Sequence, residues 1–269
     1  MMLRKTGGMK MRYFIVDAFA DDLFKGNPAG VCVIDHWLSD DILQNIAAEN
    51  NLSETAFILK EGKGKYHIRW FTPKYEIDLC GHATLGSSYV IKNFLEPGIK
   101  QICFKSMSGE LKVKCNEDIF TLDFPVRNIY PILPNDEVEE FLHVKPEEIY
   151  LSRDLFIVVN SEETVRNLSP DFDKMKSFEA GDGVIVTARG ERCDFVSRCF
   201  YPKCGINEDP VTGSAHCNLI PYWSKKLKKT ILSAKQLSER GGSLSCELQK
   251  DRVKISGKAV LYLEGTIHI

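Results

Sequence analysis

Arg69-Trp70-Phe71-Thr72-Pro73-Lys74 decides how this chain is read, because Arg198-Cys199-Phe200-Tyr201-Pro202-Lys203 echoes it. The shared frame is R-x-F-x-P-K at an offset of 129 residues. Two apolar runs around a turn precede each copy. They are 56–60 and 66–71 around Glu61-Gly62-Lys63-Gly64, then 184–188 and 193–200 around Arg189-Gly190-Glu191. Both pairs read as hairpins. A small-residue segment follows each copy, Gly81-His82-Ala83-Thr84-Leu85-Gly86 and Gly213-Ser214-Ala215-His216-Cys217, now offset by 132. Gly109-Glu110-Leu111 and Gly242-Ser243-Leu244 follow at an offset of 133, with Asp118 and Asp251 at matching turns. Landmarks in one order at a nearly constant offset indicate an internal duplication.

The expected architecture is α/β (α+β), with two pseudo-symmetric domains. Each is a mainly antiparallel sheet wrapped around a central helix. The expected divisions are a disordered tail over 1–10, one half over 11–128 and a second over 129–269, with the terminal strand able to cross over. The first central helix spans about 82–94, where Ala83, Gly86, Ser87, Val90, Ile91 and Phe94 keep helical spacing. It carries no charge before Lys92, which suits a helix enclosed by sheet. The second spans 214–223, and Pro221 should kink or shorten it. An amphipathic helix should follow Ser39, a candidate cap, with Asp40 and Asp41 in its first turn and Ile42, Leu43, Ile46 and Ala47 buried. A further helix is expected over 233–240, ending at Gly241-Gly242.

Composition fits a folded globular chain: 269 residues, 43% hydrophobic, 27% charged and 10% aromatic. Such a length buries a core without disulfides or metal. A net charge of −2 gives no sign of a nucleic-acid partner. No stretch approaches 18 uncharged apolar residues, so no membrane span is expected. The opening MMLRKTGGMK lacks a signal-type apolar run, and a cytoplasmic, reducing setting follows as the expectation. Nine cysteines cannot all pair, and most are expected as small core residues.

Helix starts present unpaired N–H donors and partial positive charge, so Gly81 and Gly213, meeting between two halves, could hold a carboxylate or phosphate. Tight packing would require the same glycines. Glu54 shares a strand face with Leu52, Ala56 and Ile58 by alternation. On that apolar face its pKa would rise and suit general acid–base work; at the strand end it could also face water. Asp209 could be a catalytic carboxylate, a cap or a turn former. His82 could orient a ligand, shuttle a proton or serve the helix start. Cys193, Cys199, Cys204, His216 and Cys217 lack close zinc-type spacing, so no metal is expected. No G-x-G-x-x-G, P-loop or G-x-S-x-G motif is present, and no cofactor is expected.

The chain resembles the phenazine-biosynthesis PhzF-like isomerase family in four segments, in family order. These are Asp17-Ala18-Phe19 with Gly26-Asn27-Pro28-Ala29-Gly30-Val31, then Asn51-Leu52-Ser53-Glu54-Thr55-Ala56-Phe57. The third is Phe71-Thr72-Pro73 with Cys80-Gly81-His82-Ala83-Thr84-Leu85-Gly86. The fourth is Asp209-Pro210-Val211-Thr212-Gly213-Ser214-Ala215. The resemblance implies a diaminopimelate-epimerase-like fold with its site between the halves. It also implies a cofactor-free proton shift of the kind that moves ring double bonds in a dihydro-hydroxyanthranilate. It makes Glu54 the acid/base, with His82 and Asp209 catalytic. Ser53, Gly81, Ala83, Gly213 and Ser214 become substrate-binding residues.

Related epimerases use one cysteine per half. Cys80 stands at the first such position and Thr212 at the second, which leaves Cys80 expected as a packing residue. The function expected is a cofactor-independent isomerase of a small carboxylate-bearing metabolite. The alternatives are an amino-acid-type epimerase or racemase, and a non-catalytic metabolite-binding protein. A homodimer is a common outcome for such enzymes.

Overall fold

The computed structural model describes residues 9–133 and 135–269, and most of the expected tail lies outside them. Its last two residues are ordered. Lys10 opens the strand Lys10–Ala18 opposite His268, and Met9 accepts a hydrogen bond from the Ile269 amide at 2.9 Å. The described strands form one continuous 18-stranded sheet.

The duplication is visible strand by strand. In the first half Asn27–Ile34 runs parallel to Glu54–Gly62, which turns back antiparallel onto Lys65–Phe71. That strand lies parallel to Gln101–Ser106, and the crossover between them carries the helix Gly81–Val90. In the second half Leu155–Val158 runs parallel to Val184–Arg189, which turns back onto Phe195–Tyr201. Phe195–Tyr201 lies parallel to Ile231–Gln236, and that crossover carries the helix His216–Leu227. Ala56 faces Trp70 in one hairpin and Ile185 faces Cys199 in the other, the same register at the repeat offset. The remaining pairings are antiparallel. Two of them stitch the halves together: Arg252–Gly257 on Ile119–Pro125, and Ala259–His268 crossing over onto Lys10–Ala18.

The R-x-F-x-P-K frame has a physical reason. Arg69 forks onto Glu76 at 2.7 and 2.6 Å, and Arg198 forks onto Glu208 at 2.7 and 2.8 Å. Each guanidinium also lies over the Phe two residues on, 5.0 Å from Phe71 and 5.2 Å from Phe200. The fork ties each hairpin to the short strand that leads into its central helix. The residues that change the offset from 129 to 132 fall within this link, around the turn Pro202–Cys204. Arg198 further donates to the Leu168 carbonyl at 2.8 Å. A lysine cannot reproduce this planar fork. Arg198→Lys is therefore expected to lower stability by about 1–3 kcal/mol, read as a lower urea midpoint with unchanged slope. An unchanged midpoint would refute the assignment.

Both central helices are enclosed as expected, but their ends differ. The first is α-helical over Gly81–Val90 and continues as a π-turn over Ile91–Leu95, closed by the Glu96 amide on the Ile91 carbonyl at 2.7 Å. The second starts at His216, after a turn at 213–215, and runs through Pro221 to Leu227. Proline removes the donor for the carbonyl four residues back. That carbonyl, Cys217, accepts the Arg127 amide at 3.0 Å instead. The helix Asp40–Asn50 buries Leu43, Ile46 and Ala47, but the Ser39 hydroxyl makes no cap hydrogen bond.

The helix expected over 233–240 is absent. Ile231–Gln236 is a strand, burying Leu232, Ala234 and Gln236 alternately. Its pairing with Phe195–Tyr201 and Gly242–Gln249 overrides the local helix preference. All nine cysteines are free, and no described helix is long and apolar enough to cross a membrane.

Candidate active site

A cavity of about 340 Å³ opens where the two halves meet. Of the residues singled out from sequence, Glu54, His82, Asp209, Gly81, Gly213 and Ser214 line it. Ser53 and Ala83 do not. Ala83 is fully buried in the core, and its amide is directed at the Cys80 sulfur.

The start of the first central helix touches the turn that leads into the second. A Cβ built on Gly81 would lie 3.0 Å from the Gly213 Cα, and one built on Gly213 would lie 3.1 Å from the Gly81 Cα. Only glycine at both positions lets the two backbones approach this closely. The amides of Gly81, His82, Gly213 and Ser214 have no acceptor among the described residues. Together they form one donor surface at the seam.

Glu54 begins its strand, and Ala56 and Ile58 on the same face are fully buried. Its side chain is 13% exposed. Burial and the neighbouring Asp209 charge push its carboxyl up to about 8, against a smaller opposing pull from a Cys80 hydrogen bond. His82 Nε2 lies 3.2 Å from Glu54 Oε2. The two are misaligned for a hydrogen bond, so both atoms are left without a partner. Burial pulls His82 down to about 3, which keeps the imidazole neutral.

Asp209 is also raised, to about 6, by burial, although the Thr212 hydroxyl and Asn27 donate to it. The carboxyls of Glu54 and Asp209 therefore titrate as a pair. Asn27 is the hub that sequence reasoning missed. Its amide nitrogen reaches Asp209 Oδ1 at 2.7 Å, the Val211 carbonyl at 3.0 Å and His82 Nδ1 at 3.2 Å. Gln236 was missed as well. It donates to the Asp209 carbonyl at 2.7 Å and accepts the Thr212 amide at 2.8 Å, from the segment expected to be helical.

Cys80 does more than pack. Its sulfur lies 3.5 Å from His82 Nδ1 and within 4.8 Å of the Glu54 carboxylate. Glu54, Cys80 and His82 place three donor atoms within 4.8 Å of one another, the one metal-type grouping among the described residues. A cation there would need the thiolate and the carboxylate. Burial pushes both groups toward their protonated forms, so the trio is better built to hold protons.

Comparison with known proteins bears on the fold and the family. A curated relative from Pseudomonas aeruginosa, named as an uncharacterized isomerase, is 49% identical over 97% of this chain and 100% of its own length. A crystal structure of a PhzF-family protein from Enterococcus faecalis superposes with a TM-score of 0.94 at 52% identity, covering 97% of this chain and all of that one. A hydroxyproline epimerase of Agrobacterium vitis shares the fold at a TM-score of 0.65 and 10% identity, covering 99% of this chain and 94% of that one. The phenazine biosynthesis-like family model (PhzC-PhzF) matches residues 16–265, and this chain belongs to that family.

Proposed function

We propose that this family member, an isomerase, moves a proton within a small carboxylate-bearing metabolite by general acid–base chemistry and without a cofactor. The observation that carries the reading is Glu54. It is a nearly buried carboxyl with a raised pKa and an unpartnered oxygen, set in a cavity beside two apposed helix starts. The unpaired amides at the seam hold the substrate carboxylate. Glu54, once ionised, takes a proton from a carbon acidified by its position in the substrate and returns it elsewhere. Neutral His82 orients the reacting end. Asp209, fixed by Asn27 and Thr212, keeps the Glu54 proton affinity high.

The two halves do not contribute matching bases. Cys80 is answered by Thr212, and Glu54 by Gly183 at the repeat offset. One acid that both removes and returns the proton suits isomerisation better than two-base epimerisation. The test is NMR of a panel of unsaturated and hydroxylated carboxylic acids in deuterated buffer. The expected result is enzyme-dependent deuterium uptake at carbon, with a shifted double bond in at least one compound. Tight carboxylate binding with no exchange across the panel would refute the reading and favour a binding protein.

A further inference from the structure

Gly183 occupies the place of Glu54 in the second half, and something else fills the space an acid would take. A Cβ on Gly183 would lie 2.2 Å from Tyr201 Cε1, so the Tyr201 ring stands where that side chain would begin. The Tyr201 hydroxyl reaches Asp154 Oδ2 at 3.4 Å. Asp154 is fully buried and forks onto Arg153 at 2.8 and 3.3 Å. Arg153 Nη2 also approaches the Ser214 hydroxyl at 3.5 Å, at the start of the second central helix.

Arg153 lines the cavity and is the one cationic side chain among the described residues that does so. Its Nε and Nη2 are engaged. Its Nη1 has no acceptor among the described residues and is not sealed from solvent. Asp182 also lines the cavity and favours the Arg153 charge from beyond ion-pair distance. Where the first half carries a proton-transfer acid, the second half carries a braced cation.

A substrate with one carboxylate leaves half of this polar surface unsatisfied. If the carboxylate sits on the helix-start amides, the Nη1 edge loses its water with nothing in return, and the reverse placement strands the amides. Buried donors left unpaired weaken binding. A second anionic group satisfies both, and a guanidinium edge is well shaped for a carboxylate.

We propose that Arg153, braced by Asp154 and Tyr201, is a specificity-determining residue that takes a second carboxylate, making small dicarboxylates the substrate class of this site. The inference deepens the proton-shift reading and rests on it for the placement of the first carboxylate. The cavity volume, at the low end for ligand sites, suits such small molecules.

The test is calorimetric binding at pH 7 of glutarate against butyrate, which carries one carboxylate fewer. The wild type should bind glutarate about tenfold more tightly or better, as one added ionic contact gives. Arg153→Gln should abolish the preference and Arg153→Lys should restore part of it. Because Arg153→Gln strands the buried Asp154 charge, the double variant R153Q/D154N is measured beside it, and loss of preference there supports the assignment equally. Glu54→Gln should keep the preference, since it leaves both anion contacts in place. Equal binding of the two probes by the wild type, no binding of either, or a preference retained in the double variant would overturn the proposal. Deuterium exchange that is confined to monocarboxylates would overturn it while leaving the proton-shift reading standing. Dicarboxylate preference without any exchange would do the opposite.

Discussion

Glu54→Gln should lower kcat/KM by about 10²–10⁴-fold, the range for loss of a general acid–base group, and abolish deuterium uptake while leaving substrate binding nearly unchanged. The same group should govern two opposite pH trends. As a base it acts ionised, so wild-type kcat/KM should climb as pH rises toward about 8 and level off above it. Stability should move the other way. The folded chain holds a proton at Glu54 that the unfolded chain releases from the ordinary value of 4.5 upward. Folding is therefore penalised increasingly between about pH 4.5 and 8, and fully above that window. Glutamine removes the penalty. The variant should be more stable than wild type at pH 9, by an amount on the order of a few kcal/mol, with the difference vanishing near pH 4.5. Thermal unfolding at pH 5, 7 and 9 reads this directly. A pH-independent difference would show that Glu54 is not the titrating group.

Gly81→Ala and Gly213→Ala should each damage the site without touching any ionisable group. Each new methyl meets backbone of the opposing helix start at 3.0 or 3.1 Å, and backbone cannot swing aside as a side-chain tip can. Overpacking of this kind costs about 1–3 kcal/mol, or roughly 2–10 °C in Tm for a chain of this size. The larger effect falls on rate. Parting the helix starts moves the unpaired seam amides away from Glu54, and a misplacement near 1 Å can cost about 10²-fold. The two substitutions share one contact, so their effects should not add. Once one methyl has separated the helices, the second has room. A double variant as unstable as the sum of the singles would mean that the helix starts respond separately.

Much of this was legible in the chain. The repeated Arg, Phe, Pro and Lys mark the same fork and cation–aromatic contact in each half, and the uncharged helix after Gly81 announces its enclosure. Glu54 was legible only in part: alternation put it on an apolar face, the strand end left it open to water, and only the family resemblance gave it an acid/base role. What escaped depends on residues far apart in sequence. Asn27 looks like a turn residue until Asp209, 182 positions away, comes within 2.7 Å. The segment holding Gln236 has good helix formers, and only its place beside Phe195–Tyr201 makes it a strand. The repeat carried a clue there, since Gln101–Ser106 is a strand at the matching place in the first half. Arg153 gave no local signal, because its meaning comes from the burial of Asp154 and from the absence of a side chain at Gly183.

The crossing of Ala259–His268 onto Lys10–Ala18 sets an order of events during synthesis. The first half leaves the ribosome first, yet one edge of its opening strand stays bare until residues 259–268 have been made. Pairings between such distant segments form slowly, because a long loop must close before they contribute. Until then that edge of Lys10–Ala18 presents open backbone donors and acceptors, a template for pairing with other chains. The strand Ala259–His268 also acts as a latch, keeping the first half unfinished until the second half has been made.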